Sequence, residues 1–118
     1  MAEISKYSWD KVKKEKLSET FYRQMVYGEK VMVAQLDIRK GSVVPEHMHE
    51  NEQITWIMKG KLHFKIDGKE MDVGQGEIVI IPPNIKHEAI ALEDTLDVDV
   101  FSPVRSDWIN GTDSYLRK

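Results

Sequence analysis

No cysteine occurs among the 118 residues. Disulfides, thiolate metal ligands and a cysteine nucleophile are therefore excluded. The same absence fits a cytosolic protein. No apolar run is long enough to span a bilayer. The N-terminus, Met1-Ala-Glu-Ile-Ser-Lys6, lacks the apolar region of a secretion signal. The expectation is a cytoplasmic protein without membrane partners. Positive charge is not in surplus either. Lys and Arg number 17 against 20 Asp and Glu, a formal −3, which argues against nucleic-acid binding. The one basic run, Lys11-Val-Lys13-Lys14-Glu-Lys16, lies in a polar N-terminal segment and reads as a solvated edge. Helix signals are scarce and confined to the ends, where Ser106-Asp-Trp-Ile109 offers an N-cap and a short turn. There is no long repeat and no low-complexity linker.

What is present is an ordinary globular composition, 41% apolar and 31% charged. The length suits a single domain over 1–118 with one modest core. Short strands are punctuated by glycine and proline. Glu29 to Arg39 alternates between Gly28 and Gly41, and Gln53 to Lys59 ends at Gly60. Lys61 to Ile66 alternates most cleanly, with Leu62, Phe64 and Ile66 on one face and Lys61, His63 and Lys65 on the other. Asp67-Gly68 is a hairpin turn signal, and Glu70 to Val73 pairs back. Ile78 to Ile81 runs into Pro82-Pro83-Asn84, which breaks the ladder. His87 to Leu92 and Leu96 to Phe101 complete an all-β sandwich or barrel, read as a jelly roll.

His47, His49, Gln53 and His87 have the side chains and spacing of one metal site. The first three lie in Gly41-Ser-Val-Val-Pro-Glu-His47-Met-His49-Glu-Asn-Glu-Gln53, a stretch that runs on to Gly60. The fourth closes Gly76-Glu-Ile-Val-Ile-Ile-Pro82-Pro-Asn84-Ile-Lys-His87. Side chains two apart on a strand share a face, so His47 and His49 converge. Gln53 has the same parity and joins them after a bend at Glu50-Asn51-Glu52. His87 must come from a neighbouring strand, directed by the rigid proline corner. A His-x-His pair alone is more often an exposed polar stretch. The added spacing to Gln53 and His87, inside glycine and proline frames, reverses that reading. Three imidazoles and a neutral amide leave the ion's charge uncompensated, which makes it a stronger Lewis acid for anionic oxygen. Imidazole suits zinc, copper, iron and nickel alike, so these ligands do not identify the metal. His63, between Lys61 and Lys65, reads as exposed and unliganded.

A second constellation follows in Leu96-Asp-Val-Asp99-Val-Phe101-Ser-Pro103-Val-Arg105. Asp99 and Phe101 share a face, and Arg105 can fold back beyond Pro103. The Arg could clamp a substrate carboxylate through two parallel hydrogen bonds, the Asp could move a proton, and the Phe could pack on a flat sugar face. Alternation alone favours the opposite placement, with Val98 and Val100 in the core and Asp97 and Asp99 solvated. However, Trp56 and Met58 have opposite parity to the ligand face. With the ligands inward, Trp56, Met58, Val98 and Val100 lie outside and need cover, from a dimer interface or the N-terminal segment.

The segments Gly41–Gly60 and Gly76–Ala91 resemble the two motifs of the cupin family. The resemblance implies a cupin-type jelly-roll barrel, a double-stranded β-helix, often dimeric, with short helical or irregular termini. The chain departs from the usual motifs in having Gln53 for Glu, Asn84 for Gly and Ala91 for Asn. With Asp-x-Phe-x-Pro-x-Arg and the tail Gly111-Thr-Asp-Ser-Tyr-Leu116, it resembles the KdgF group of cupins. That group converts 4,5-unsaturated monouronates from pectin or alginate lysis to linear 4-deoxy-5-keto uronates. Carried over by position, the resemblance implies that His47, His49, Gln53 and His87 hold one divalent transition metal per chain: zinc, nickel, iron or manganese. It makes Asp99, Phe101 and Arg105 the active-site residues, an unsaturated sugar acid the small-molecule partner, and a homodimer the assembly. Two other functions fit the same pocket: a metal-dependent dioxygenase, and a non-catalytic binder of sugar acids.

Overall fold

A computed structural model of the chain describes residues 3–117. Ten strands carry the fold: β1 (Glu15–Ser18), β2 (Phe21–Tyr27), β3 (Met32–Ile38), β4 (Val43–His47), β5 (Glu52–Lys59), β6 (Lys61–Ile66), β7 (Lys69–Gly74), β8 (Ile78–Ile81), β9 (His87–Ala91) and β10 (Thr95–Ser102). A short helix, α1 (Ser106–Asn110), follows. One sheet has six strands in the order β1-β2-β3-β10-β5-β8, and the other has four in the order β4-β9-β6-β7. All the pairings are antiparallel. The two sheets close on a shared interior, the jelly roll expected from the turn spacing. Among the described residues no helix is long and apolar enough to cross a membrane.

The interior is set by strand parity. Met32, Ala34, Leu36 and Ile38 of β3 point inward, as do Leu62, Phe64 and Ile66 of β6. Burying such side chains contributes roughly 1.5–3 kcal/mol each. The same alternation applied to β5 and β10 sends Gln53, Thr55 and Ile57, and Thr95, Asp97, Asp99 and Phe101, to the inside. The pairs Asp99↔Thr55 and Phe101↔Gln53 lie side by side. The open question of the Asp99 strand is thus decided. Val98 and Val100 face outward, and the acids are core residues.

The outer face of the six-stranded sheet is covered at one end only. The N-terminal segment lies over β2 and β3, where Gln24 Nε2 donates to the carbonyls of Trp9 and Val12 (2.6 and 2.9 Å). Trp56, Met58, Ile78 and Ile80 at the β5–β8 end remain exposed.

Two expectations require correction. The N-terminal segment is not merely polar, because β1 and β2 were hidden by a charge at a core position. Arg23 takes an inward place on β2 and is fully buried. Its Nη1 donates to Asp113 at 2.6 Å, its Nε donates to Glu15 at 3.2 Å, and the Trp108 ring lies 4.5 Å away. Ser106 does not cap α1; Arg105 occupies the N-cap position and no side chain caps the helix.

Turn chemistry is as expected at Asp67-Gly68, where both residues have positive φ (51° and 79°). Gly60, between β5 and β6, has φ +94°. A Cβ there would strike the Asp94 carbonyl oxygen and lie 2.7 Å from Thr95 Cα, both backbone atoms that cannot yield cheaply. Gly60→Ala should therefore destabilise the fold by roughly 3 kcal/mol, read by urea or thermal unfolding. Gly28→Ala, with no such contact and no positive φ, should cost little.

Candidate metal centre and active site

Four local devices bring the predicted ligands together. His47 ends β4 and pairs directly with His87, the first residue of β9. His49 lies just past the end of β4, and not on the strand as its spacing suggested. Gln53 enters β5 after the bend at Glu50 and Asn51. The proline corner ends at Asn84 (φ 62°), whose N–H donates to the His49 carbonyl at 2.8 Å, joining the two motifs. The ligating nitrogens of His47, His49 and His87 lie within 4.8 Å of one another.

The imidazoles are prepared as neutral ligands. Burial pushes His47 down to about 3, helped by the charge of His87, and burial with the Arg105 guanidinium pushes His49 down to about 4. Burial also lowers His87. Each ring sets its Nδ1 against a backbone carbonyl two residues away: His47 to Pro45 (2.8 Å), His49 to Asn51 (3.1 Å) and His87 to Ile85 (2.8 Å). A carbonyl only accepts, so the single proton of each neutral ring sits on Nδ1 and each Nε2 presents a lone pair. His87 Nε2 is buried with no hydrogen-bond partner among the described residues. His49 Nε2 faces Gln53 Oε1 at 3.1 Å. Both of these atoms are acceptors, so no proton lies between them. Such a donor set fits a cation.

Behind the ligands runs a polar chain. Gln53 Nε2 donates to Thr55 Oγ1 (2.8 Å), and Thr55 Oγ1 donates to Asp99 Oδ1 (2.7 Å). Asp97 and Asp99 are both buried on the inner face of β10, and Asp97 Oδ1 has no partner. Burial and the neighbouring Asp99 hold Asp97 well above the usual carboxylate range. Burial raises Asp99 as well, opposed by hydrogen bonds from Asp97 and Thr55 and by the Arg105 charge.

Phe101 and Arg105 reach the same cavity but are more engaged than the sequence suggested. Phe101 sits edge-on to His49 and Trp108, with the Arg105 guanidinium 4.9 Å from its ring centre. It is a wall of the metal cluster, without a free face for a sugar. Arg105 is buried, and its Nε and Nη2 donate to the two oxygens of Asp107 (2.9 and 2.8 Å). Nη2 also donates to the Tyr115 hydroxyl at 2.6 Å. The edge expected to clamp a substrate carboxylate is thus taken by a residue two positions along the chain. Tyr115 in turn stacks 4.6 Å from His47. The cavity beside the histidines is ≈ 40 Å³, room for a few waters. His47 and His49 are only half-buried, so the cluster opens at the barrel mouth.

Thr55, Asp97, Asp107 and Tyr115 were not singled out from sequence. Thr55 and Asp97 shared parity with Gln53 and Asp99, and parity was the available signal. Nothing local marked Asp107 or Tyr115, which act by folding back. His63 is half-exposed and outside this site, as expected. It is not free, since Asp72 (2.6 Å) and Glu70 (3.0 Å) hold its two nitrogens.

The model of the Cupin domain matches residues 34–103, more than half of the chain. The chain belongs to the cupin family. Among solved structures, this cupin superposes on KdgF from Halomonas sp. with a TM-score of 0.84 and 26% identity, covering 90% of this chain and 99% of that one. An RmlC-like cupin from Shewanella frigidimarina matches with a TM-score of 0.82 and 24% identity over 91% and 96% of the two chains. The acireductone dioxygenase of Puccinia graminis f. sp. tritici is 31% identical over 48 residues, 36% of this chain and 26% of that protein's length.

Because His47 and His49 are lowered to about 3 and about 4, and burial lowers His87 as well, protons should compete little with the ion. Zinc affinity measured by competition with a chromophoric chelator should stay nearly constant from neutral pH to about pH 5 and fall below about pH 4. His87→Ala should abolish stoichiometric binding, and zinc should raise the unfolding temperature of the wild type but not of this variant.

Proposed function

We propose that this cupin opens the ring of 4,5-unsaturated monouronates, giving linear 4-deoxy-5-keto uronates. One observation carries the reading: a neutral-ligand metal cluster shares its cavity with a buried carboxyl, Asp99, and a guanidinium, Arg105. The similarity to KdgF over nearly the full length of both chains supports it.

The substrate is a cyclic hemiacetal whose C4=C5 bond is conjugated to a carboxylate. Asp99 accepts the C1 hydroxyl proton. The bond from C1 to the ring oxygen breaks, its electrons pass to that oxygen, and C1 becomes an aldehyde. A proton from Asp99 then reaches C4 as the enolate becomes a ketone. The sum is an isomerisation that needs no oxidant or reductant. A divalent ion held by His47, His49, Gln53 and His87 would supply Lewis-acid stabilisation of developing oxyanion charge. Arg105 Nη1, which has no hydrogen bond to the described residues, supplies a single donor and a positive field toward the substrate carboxylate. Phe101 holds His49 in place and excludes water. A sugar acid is larger than this cavity, so its binding displaces the Tyr115 ring and widens the cavity to bring C1 to Asp99.

The chromophore gives the test. Metal-loaded protein should bleach the ultraviolet absorbance of an unsaturated galacturonate faster than buffer, and no acceleration would overturn the reading. Asp99→Asn should lower kcat about 10²–10⁴-fold. Arg105→Ala should raise KM about tenfold, the worth of one charged hydrogen bond. A dioxygenase is the second reading, favoured by the match to acireductone dioxygenase. Oxygen consumption dependent on iron or another redox-active metal would select it.

We also propose that the exposed β5–β8 face is the contact of a homodimer. Trp56, Met58, Ile78 and Ile80 form an apolar cluster with β-sheet geometry and no cover. Sedimentation should show a dimer in the wild type and a monomer in Trp56→Asp/Ile80→Asp. A monomeric wild type would overturn this assembly.

A further inference from the structure

We propose that Asp97 carries the proton of a two-carboxyl pair whose ionised member is Asp99, and that this pair sets the direction of the hydrogen-bond chain aiming the Gln53 oxygen at the histidines. The inference rests on the metal reading of the three imidazoles and not on the identity of the substrate.

Asp97 is a buried acid of the cavity that the mechanism above leaves unused. It is buried on β10, between Leu36 of β3 and Ile57 of β5. Neither neighbour offers a hydrogen bond or a charge, and Asp97 Oδ1 has no partner. The nearest inward polar group on its own strand is Asp99, two residues away on the same face. An ionised carboxylate in such a place costs several kcal/mol, and a second one beside it costs more. Two carboxylates cannot hydrogen-bond each other, whereas a carboxylic acid and a carboxylate can.

Thr55 favours Asp99 as the member that keeps its charge, as does the Arg105 guanidinium, and neither acts on Asp97. Its hydroxyl has one proton. It receives a hydrogen bond from Gln53 Nε2 and gives its own proton to Asp99 Oδ1. With Asp99 the acceptor toward Thr55, Asp97, its other hydrogen-bond neighbour, is the acid that donates to it. The chain then runs in one sense, from amide N–H to hydroxyl to carboxylate, with the Asp97 acid closing it. Its far end is Gln53 Oε1, turned to His49 Nε2.

The opposite sense would satisfy the same atoms differently. A protonated Asp99 would donate to Thr55, and Thr55 would donate to the Gln53 oxygen. The Gln53 NH₂ would then face the His49 lone pair. That arrangement is a complete hydrogen bond and presents no oxygen to a metal. Asp97 is thus a positioning residue, acting on the metal through Asp99, Thr55 and Gln53.

Two measurements on the zinc-loaded protein test this. Infrared spectra at neutral pH should show the carbonyl stretch of a non-ionised carboxylic acid, shifted in D₂O. Asp97→Asn should remove the band, and Asp99→Asn should keep it. Absence of the band from the wild type, or its survival in Asp97→Asn with loss in Asp99→Asn, would overturn the assignment. Zinc affinity should fall about 10–100-fold in Thr55→Val, which cannot receive the Gln53 amide, and recover in Thr55→Ser. Unchanged affinity in Thr55→Val would overturn the role given to the chain. Neither measurement uses a substrate. If the uronate assay fails while both succeed, the ring-opening reading falls and this one stands.

Discussion

Three histidines each lean on a backbone carbonyl two residues away, and the rest of the site depends on that bond. It fixes the tautomer, so every Nε2 lone pair is free and every ring points inward. The carbonyls that do this belong to Pro45, Asn51 and Ile85, in segments shaped by a strand end, a bend and a proline corner. The metal site is therefore built from backbone geometry as much as from histidine. Substituting the histidines into another strand pair would not reproduce it. Burial then keeps the rings neutral, which removes the proton as a competitor for the lone pairs.

The sequence made the fold and the ligand set largely legible, because both are written in local patterns. Period-two alternation placed β6, the glycine and proline punctuation placed the turns, and the His-x-His…Gln…His spacing placed the ligands. What escaped has a common cause. Arg23 hid β2, since a charged residue at an inward position breaks the apolar alternation that marks a strand. Its compensation by Asp113 comes from ninety residues away. Asp97 escaped for the same reason, an acid where the pattern expects an apolar side chain. The inward parity of Gln53 was the correct guide to β10, because Thr55 and Gln53 of β5 lie opposite Asp99 and Phe101.

Arg105 illustrates a limit of reading function from residue type. Its position at the site was foreseeable from Pro103, which ends the strand and turns the chain. Its pairing was not. Asp107 and Tyr115 hold two of its nitrogens, and the Phe101 and Trp108 rings flank it. These contacts make it rigid and leave it one free nitrogen. A rigid charge with one free donor orients a substrate less strictly than a bidentate clamp does. Held this way it needs no reorganisation, however, and its field reaches the histidines.

The amide at position 53, where cupins more often carry a carboxylate, follows from what lies behind it. A glutamate could ligate the ion equally well from the front. From the back it would have no N–H to give Thr55. The threonine hydroxyl, with a single proton, would then stand between two acceptors, the new carboxylate and Asp99. One of them would lose its hydrogen bond inside the barrel, at a cost of about 1–3 kcal/mol. A third acid would also join Asp97 and Asp99 in the same buried space. Gln53 avoids both penalties, since its oxygen faces His49 Nε2 and its nitrogen donates to Thr55. The choice of glutamine is thus tied to the buried acid pair of β10, and an ion held beside this neutral amide would be the stronger Lewis acid for the same reason.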